Sequence, residues 1–232
     1  MIPRPWRAFP SHHLPILLEL RWQTDEYGSK SAKTAALMIY IALIFVSAET
    51  VHESLREQET IATLDDLELL TGISRPKLIE GLDLLTMLGV VTVEGTPRKR
   101  LFKIEWIEKV RWYKVPCRVH IDNGVIKPFA DFSLRKRMEL DALKLFLYLA
   151  NVRSSLNSYA MANYDTIHDK AHVSRPQIRR ALVFMTLVRL IGNVHRENDG
   201  GASHYGPNQY FLEGYRDLFA GTKPISDSAV VN

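Results

Sequence analysis

Residues 64–91 and 164–191 align without a gap at a shift of 100 positions. The first reads LDDLELLTGISRPKLIEGLDLLTMLGVV and the second YDTIHDKAHVSRPQIRRALVFMTLVRLI. Identities fall at Asp65/Asp165, Ser74/Ser174, Arg75/Arg175, Pro76/Pro176, Leu82/Leu182 and Thr86/Thr186. Apolar character matches at Ile73/Val173, Leu78/Ile178, Leu84/Phe184, Leu85/Met185, Val90/Leu190 and Val91/Ile191. An ungapped Ser-Arg-Pro inside a matching apolar pattern marks a duplicated unit, and internal duplication constrains a fold more than any single element does. At 232 residues the chain has room for two such units, each near the size of a small domain.

Each copy has the same local logic. A first amphipathic segment, Leu64 to Leu70 or Tyr164 to Lys170, begins beside Asp65 or Asp165, and an acid suits a helix N-terminus. A break follows at Thr71-Gly72 or Ala171-His172. Ser74 and Ser174 then stand as N-caps, with Pro76 and Pro176 in the first turn, where a missing N–H costs nothing. Apolar residues at 78, 82 and 85, and at 178, 182 and 185, keep helical spacing. The helix ends near Gly89 or Arg189 and passes into a β-prone stretch. A polar hairpin tip follows, Gly95 to Arg100 or about Asn198 to Asn208, and then a returning strand, Leu101 to Trp106 or Gln209 to Leu212.

Upstream of each copy the sequence predicts a further apolar helix, Lys33 to Ala48 and Glu139 to Val152, and a strand over Trp112 to Ile121 precedes the second. The order helix, helix, turn, helix, strand, wing, strand, stated twice, resembles two winged helix-turn-helix domains in tandem: a mainly α fold with small β-wings. The implied division is residues 1–111, residues 112–220, and a loosely ordered tail over 221–232. The stretch Val173-Ser174-Arg175-Pro176-Gln177-Ile178-Arg179-Arg180-Ala181-Leu182 is similar to the recognition helices of bacterial winged-helix regulators.

Composition narrows the class. Hydrophobic residues are 46% of the chain, enough for a sizeable core. The single Cys117 excludes an intramolecular disulfide framework and any multi-cysteine metal site, which reads as an intracellular chain. The longest apolar run, Ala35 to Val46, is too short to span a bilayer, for which about 20 residues are needed. A net charge of +4 is only mildly basic, but it is unevenly spread. Glu49 to Glu94 holds ten acids against Arg56, Arg75 and Lys77. Arg98 to Arg118 holds eight bases against Glu105 and Glu108, and Asp165 to Arg196 six bases against Asp165 and Asp169.

A helix fits the major groove of B-DNA with its N-terminal side chains at the base edges. With 178, 181, 182 and 185 turned to the core, Arg175, Gln177, Arg179 and Arg180 point outward beside Ser174. Arg pairs bidentately with guanine and Gln with adenine. The matching set in the first copy is Arg75, Lys77, Ile79 and Glu80, an acidic helix less suited to reading bases. Arg98-Lys99-Arg100 at the first hairpin tip suits phosphate or minor-groove contact. Arg135-Lys136-Arg137, ahead of the second copy's first helix, suits backbone phosphates. Against each of these stands the plainer reading of a solvated charged face.

No motif for enzymatic chemistry is present: no phosphate-binding Gly-rich loop, no G-x-S-x-G, no H-E-x-x-H. His168 and His172 have a spacing a metal could use, but their place at a helix end favours a structural role. His12-His13, in a Pro-punctuated arm, offer no clear partner. Cys117 reads as core, and Trp22, Trp106, Trp112 and Tyr113 as packing between elements.

The layout with no ligand domain resembles plasmid and phage replication initiators. That resemblance implies double-stranded DNA as partner, no cofactor and no metal. It also implies strong groove contact by the C-terminal winged domain, with homodimerisation or extra DNA contacts through the N-terminal one. A cytoplasmic, nucleoid-associated protein outside the membrane is the expectation. Two other readings stay open: a transcriptional regulator of a mobile element, and a tandem winged-helix subunit that binds a kleisin in a chromosome-condensing complex. The acidic first copy suits the last; the basic second copy opposes it.

Overall fold

The computed structural model describes residues 5–24, 26–52, 55–96, 98–107, 111–195 and 207–218, with backbone alone at 49–52, 55–57 and 217. The chain opens with β1 (Trp6–Pro10), a short α1 (Leu14–Leu18) and the long α2 (Lys30–Val46). A hairpin of β2 (Ala48–His52) and β3 (Leu55–Ala62) leads to α3 (Leu64–Thr71), α4 (Arg75–Met87), β4 (Val91–Thr96) and β5 (Lys99–Ile104). Next come β6 (Trp112–Pro116) and the small hairpin β7 (Ile121–Asp122) and β8 (Val125–Ile126). The last part is α5 (Arg137–Val152), β9 (Ala160–Ala162), α6 (Tyr164–Ala171), α7 (Arg175–Leu187), β10 (Ile191–His195) and β11 (Asn208–Leu212).

Helices with small antiparallel sheets make up the fold. Strand order is β2-β3-β5-β4 in one sheet and β10-β11-β9 in another. In both, a strand laid down before the helix pair closes against the returning strand of the wing, β3 on β5 and β9 on β11. The expected element order therefore recurs in both halves, with two added strands, β2 and β3, in the first and one, β9, in the second. β9 is too short for periodicity to show, and β3 escapes it because its buried face is largely polar. Along β3 the buried residues are Gln58, Thr60 and Ala62, while Ile61 faces solvent. The buried polar groups are satisfied across elements: Gln58 Nε2 donates to the Ala8 carbonyl at 2.9 Å and Thr60 Oγ1 to the Leu43 carbonyl at 2.9 Å.

α2 is apolar nearly all round, as a helix enclosed on every side must be. Residues 32–45 of it are all buried. It starts three residues before the expected Lys33 because Ser29 caps it, accepting the Ala32 N–H at 3.1 Å. α4 packs on one flank and α5 on another, and a single apolar cluster runs through both halves of the chain. The closest approach is at Gly81, where an added Cβ would lie 2.7 Å from Ile39 Cδ1 and 3.0 Å from the Ala36 backbone nitrogen.

The two halves are joined by more than side-chain packing. β1 pairs antiparallel with β6, Trp6 opposite Pro116 and Pro10 opposite Trp112. Trp6 stacks on Trp112 at 5.9 Å, and Trp106 Nε1 donates to Gln58 Oε1 at 3.2 Å, so these indoles pack between elements as expected. The strand expected over Trp112 to Ile121 stops at Pro116, and a 3-10 turn over Arg118–His120 replaces its end. Cys117, just past the strand, is buried, and burial pushes its thiol up to about 11. His13, expected to lack a partner, is buried with Nδ1 3.0 Å from the Tyr40 hydroxyl. His120 lies between Phe45 of α2 and Phe146 of α5.

Candidate nucleic-acid interface

α3 and α6 each begin with a side-chain cap. Thr63 Oγ1 accepts the Asp66 N–H at 3.1 Å and Asp66 returns a carboxylate oxygen to the Thr63 N–H at 2.7 Å. Asn163 Oδ1 accepts the Thr166 N–H at 2.7 Å. Both helices end on a left-handed residue, Gly72 at φ 71° and His172 at φ 53°. Glycine takes that conformation freely. Histidine does not, and here its Nε2 lies 2.7 Å from Glu19 Oε1. His168 Nδ1 meets the Val173 carbonyl at 3.2 Å, so it donates within the same turn. Among the described residues, no cluster of three or more His, Cys, Asp or Glu is placed to hold a metal ion.

Ser74 and Ser174 occupy the N-cap positions of α4 and α7 in extended geometry, yet their side chains make no cap hydrogen bond. A cap hydroxyl accepts from the second or third helical N–H, and proline at the second position removes one of these. Their backbone carbonyls serve instead, accepting from Leu78 at 2.9 Å and from Gln177 at 2.8 Å. The first residue of each helix is fixed by an ion pair that repeats across the duplication: Arg75 with Asp65 at 2.6 Å, and Arg175 with Asp165. The aspartates at the start of α3 and α6 thus do more than favour the helix N-terminus.

Beyond that point the two helices differ. α7 buries Ile178, Ala181, Leu182, Phe184 and Met185, as the spacing predicts, and leaves Arg179 and Arg180 exposed with Gln177 half-buried. Neither Arg179 nor Arg180 forms an ion pair with any described residue. On α4 the equivalent positions are Ile79, 42% exposed, and Glu80. Lys77 Nζ lies 2.7 and 2.8 Å from the two Glu80 carboxylate oxygens, and Ser29 Oγ donates to the same carboxylate at 3.0 Å. The Lys77 ammonium holds the Glu80 carboxyl below its ordinary range against a smaller opposing effect of burial. Lys77 is therefore engaged within the molecule.

The β4–β5 hairpin projects Arg98 and Lys99 into solvent, with Arg100 half-exposed. Gly95 makes the tight turn possible: its φ is +93°, and an added Cβ would stand 2.4 Å from the Lys99 carbonyl oxygen. The tip of the second wing, 196–206, lies outside the described residues, as does the tail over 221–232. Arg135 and Lys136 are exposed at the mouth of α5. Arg137 is not available in the same way, because its Nε bonds Asp141 at 3.2 Å on the next turn. The buried Glu139 carboxylate knits that mouth together. It accepts from Ser133 Oγ at 2.6 Å and from the Ser133, Arg135 and Lys136 N–H groups at 2.9, 3.1 and 3.3 Å.

Two open clefts meet at Trp22. The larger, about 810 Å³, takes in Ser29, Lys30, Gly72, Ser74, Lys77 and Arg135. The smaller, about 570 Å³, takes in Arg21, Arg137, Lys144, His168, His172 and Ser174. The corner before α4 and the corner before α7 thus lie on either side of one tryptophan. Sequence periodicity placed the outward faces of α4 and α7 correctly. It missed the Asp–Arg ties, although both partners are among the repeated identities; Trp22, read as packing between elements, does pack against the core.

No protein-family model matches the chain, and no curated protein does. Among solved structures, the chain is similar to the Pi initiator protein in complex with iteron DNA, with a TM-score of 0.54 at 13% identity. The match covers 92% of this chain and 99% of that one. At that identity the likeness speaks for the fold, a replication-initiator-like fold over nearly the whole length.

Proposed function

We propose that this chain is a sequence-specific double-stranded DNA-binding protein of the replication-initiator type, with no catalytic role. It is organised as two tandem winged helices over residues 1–111 and 112–220. α7 is the reading helix of the second unit. Arg179 and Arg180 reach base edges with Gln177, and Arg175 contributes while tied to Asp165. The Arg98-Lys99-Arg100 hairpin, with Arg135 and Lys136, touches phosphates and fixes register without reading sequence. The observation that carries this reading is the exposed Arg179-Arg180 pair, without an acidic partner among the described residues, on the second helix of a helix-turn-helix corner. A likeness over almost the full length to a protein solved on iteron DNA supports it.

The test is a mobility-shift titration with a duplex selected from a random pool. Simultaneous loss of Arg175, Arg179 and Arg180 should abolish specific binding, and Lys99→Ala should lower affinity across all sequences while flattening the salt slope. Unchanged duplex affinity in the triple variant refutes the assignment of α7. Co-purification with a kleisin-type partner and no salt-sensitive DNA binding would point to the protein-binding reading instead.

A further inference from the structure

Residues 20–24 form a strap between α1 and α2 that both halves of the molecule grip by its backbone. From α5, Lys144 Nζ donates to the Leu20 carbonyl at 3.1 Å. From α2, Lys33 Nζ donates to the Arg21 carbonyl at 2.9 Å and also to the Thr24 carbonyl. Both lysines are buried, on helices that pack against each other. An ammonium is expensive to bury unless other groups replace its water, and an apolar side chain would fill the same space without that cost. Two such groups on one five-residue segment mark the segment's position as the thing being specified. Its N-terminal flank is fixed too, through the 2.7 Å contact of Glu19 with His172 at the corner before α7. Trp22, at its centre, walls both clefts that border Ser74 and Ser174.

We propose that the strap is a spacer, with Lys33 and Lys144 as positioning residues that, together with the α2–α5 packing and the β1–β6 pair, fix the separation of the β4–β5 hairpin and α7. The protein thereby discriminates the spacing between the two stretches of duplex its halves contact. This rests on the DNA-binding reading above. One inserted base pair moves the second stretch by about 3.4 Å along the axis and by about a tenth of a turn around it. A flexible connection absorbs such a change, whereas one held at four backbone and side-chain points does not.

The experiment uses the full chain and a duplex selected from a random pool by the wild-type protein. Footprinting first defines the two stretches, and affinities are then measured with zero, one and two base pairs inserted between them. The wild type should lose about tenfold or more per insertion, a penalty of the size of a mismatched base pair. Lys144→Met keeps the volume and removes one grip, and it should lose less than about threefold. A second variant, with two glycines inserted between Gln23 and Thr24, loosens the strap at an exposed position and decides the matter if Lys144→Met does not fold. A spacing penalty equal to wild type in a folded variant overturns the spacer. A footprint confined to one stretch also overturns it but leaves DNA binding standing. Failure of the wild type to select any duplex removes the DNA reading, and the spacer with it.

Discussion

α4 and α7 are each 13 residues long, each begins Arg-Pro after a serine cap, and each ties its first arginine to an aspartate ten positions earlier. Both bury the same five positions, 78, 81, 82, 84 and 85 on one and their counterparts one hundred later on the other. What they show to solvent is unlike. On α4, Glu80 neutralises Lys77 and is bonded by Ser29 from the loop before α2, and Asp83 is exposed beside them. On α7, Arg179 and Arg180 stand where α4 has Ile79 and Glu80, with no acid among the described residues against them. Positions held in common are those the corner needs to fold. Positions that differ are free of that demand, and there one copy has acquired a cationic surface while the other has turned its charge inward on itself.

The largest effect expected on this pair concerns what they share, the junction on which both depend. Burial lowers the His13 imidazole to about 3, with His12 beside it adding to the effect and the Glu105 carbonyl opposing it. Burial alone lowers His120, between α2 and α5, to about 4. Both are neutral when folded, while in the unfolded chain they take up protons below about 6.5. Stability is therefore full above that pH and is lost as pH falls towards 4 and then 3. The sum is on the order of several kcal/mol, since each tenfold difference in proton affinity between folded and unfolded chain is worth about 1.4 kcal/mol. Asp141, raised by burial against the pull of Arg137 and Lys144, binds protons more readily when folded and offsets part of this loss. Urea midpoints that stay flat between pH 7 and 4 would contradict it. Separate transitions for the two halves would break the idea of a shared junction.

A smaller effect separates the helices in packing. Position 81 is glycine on α4 and its counterpart on α7, Ala181, is a buried alanine. Gly81→Ala drives a methyl into the α2 backbone, so about 1–3 kcal/mol should be lost in a denaturant titration. If Gly81→Ala is neutral, α4 sits less tightly on α2 than Gly81 implies. On the DNA side, Arg179→Ala should weaken specific binding by about 1–3 kcal/mol, and Ile79→Ala should leave base preference unchanged. Equal effects from both would make the copies functionally alike and remove the contrast.

How much of this was legible beforehand follows from where the signals sit. The duplicated apolar positions fixed both helix pairs to within a residue or two, because residues 178, 181, 182 and 185 lie inside a helix with a single buried face. The strands β3 and β9 left no such signal: on β3, Gln58 and Thr60 are buried through hydrogen bonds to distant carbonyls, which alternation of hydrophobicity cannot show, and β9 is only three residues long with two small alanines on its buried side. The same holds for the site. Exposure of Arg179 and Arg180 is a matter of local period, and so is the engagement of Lys77 by Glu80 at i,i+3 and of Arg137 by Asp141 at i,i+4, pairs that helical spacing offers and the sequence reading did not draw. For Arg75 and Arg175, ten positions from their partners, it was the repeat that held the answer, in the paired recurrence of Asp65 and Asp165.

That recurrence gives the smallest and sharpest comparison. Asp65–Arg75 and Asp165–Arg175 are exposed ion pairs, and such pairs are worth about 0–1 kcal/mol. Asp65→Asn and Asp165→Asn should each shift a urea midpoint only slightly, and by similar amounts. In a DNA titration the two should diverge. Releasing Arg175 beside Arg179 and Arg180 gives α7 another free guanidinium, which should steepen the salt dependence by about one counterion if it reaches a phosphate. Releasing Arg75 leaves a cation on a helix that also carries Glu80 and Asp83, and should change little. A salt slope that steepens equally in both variants would mean that α4 approaches the duplex as closely as α7 does, and that its acids lie clear of the phosphates.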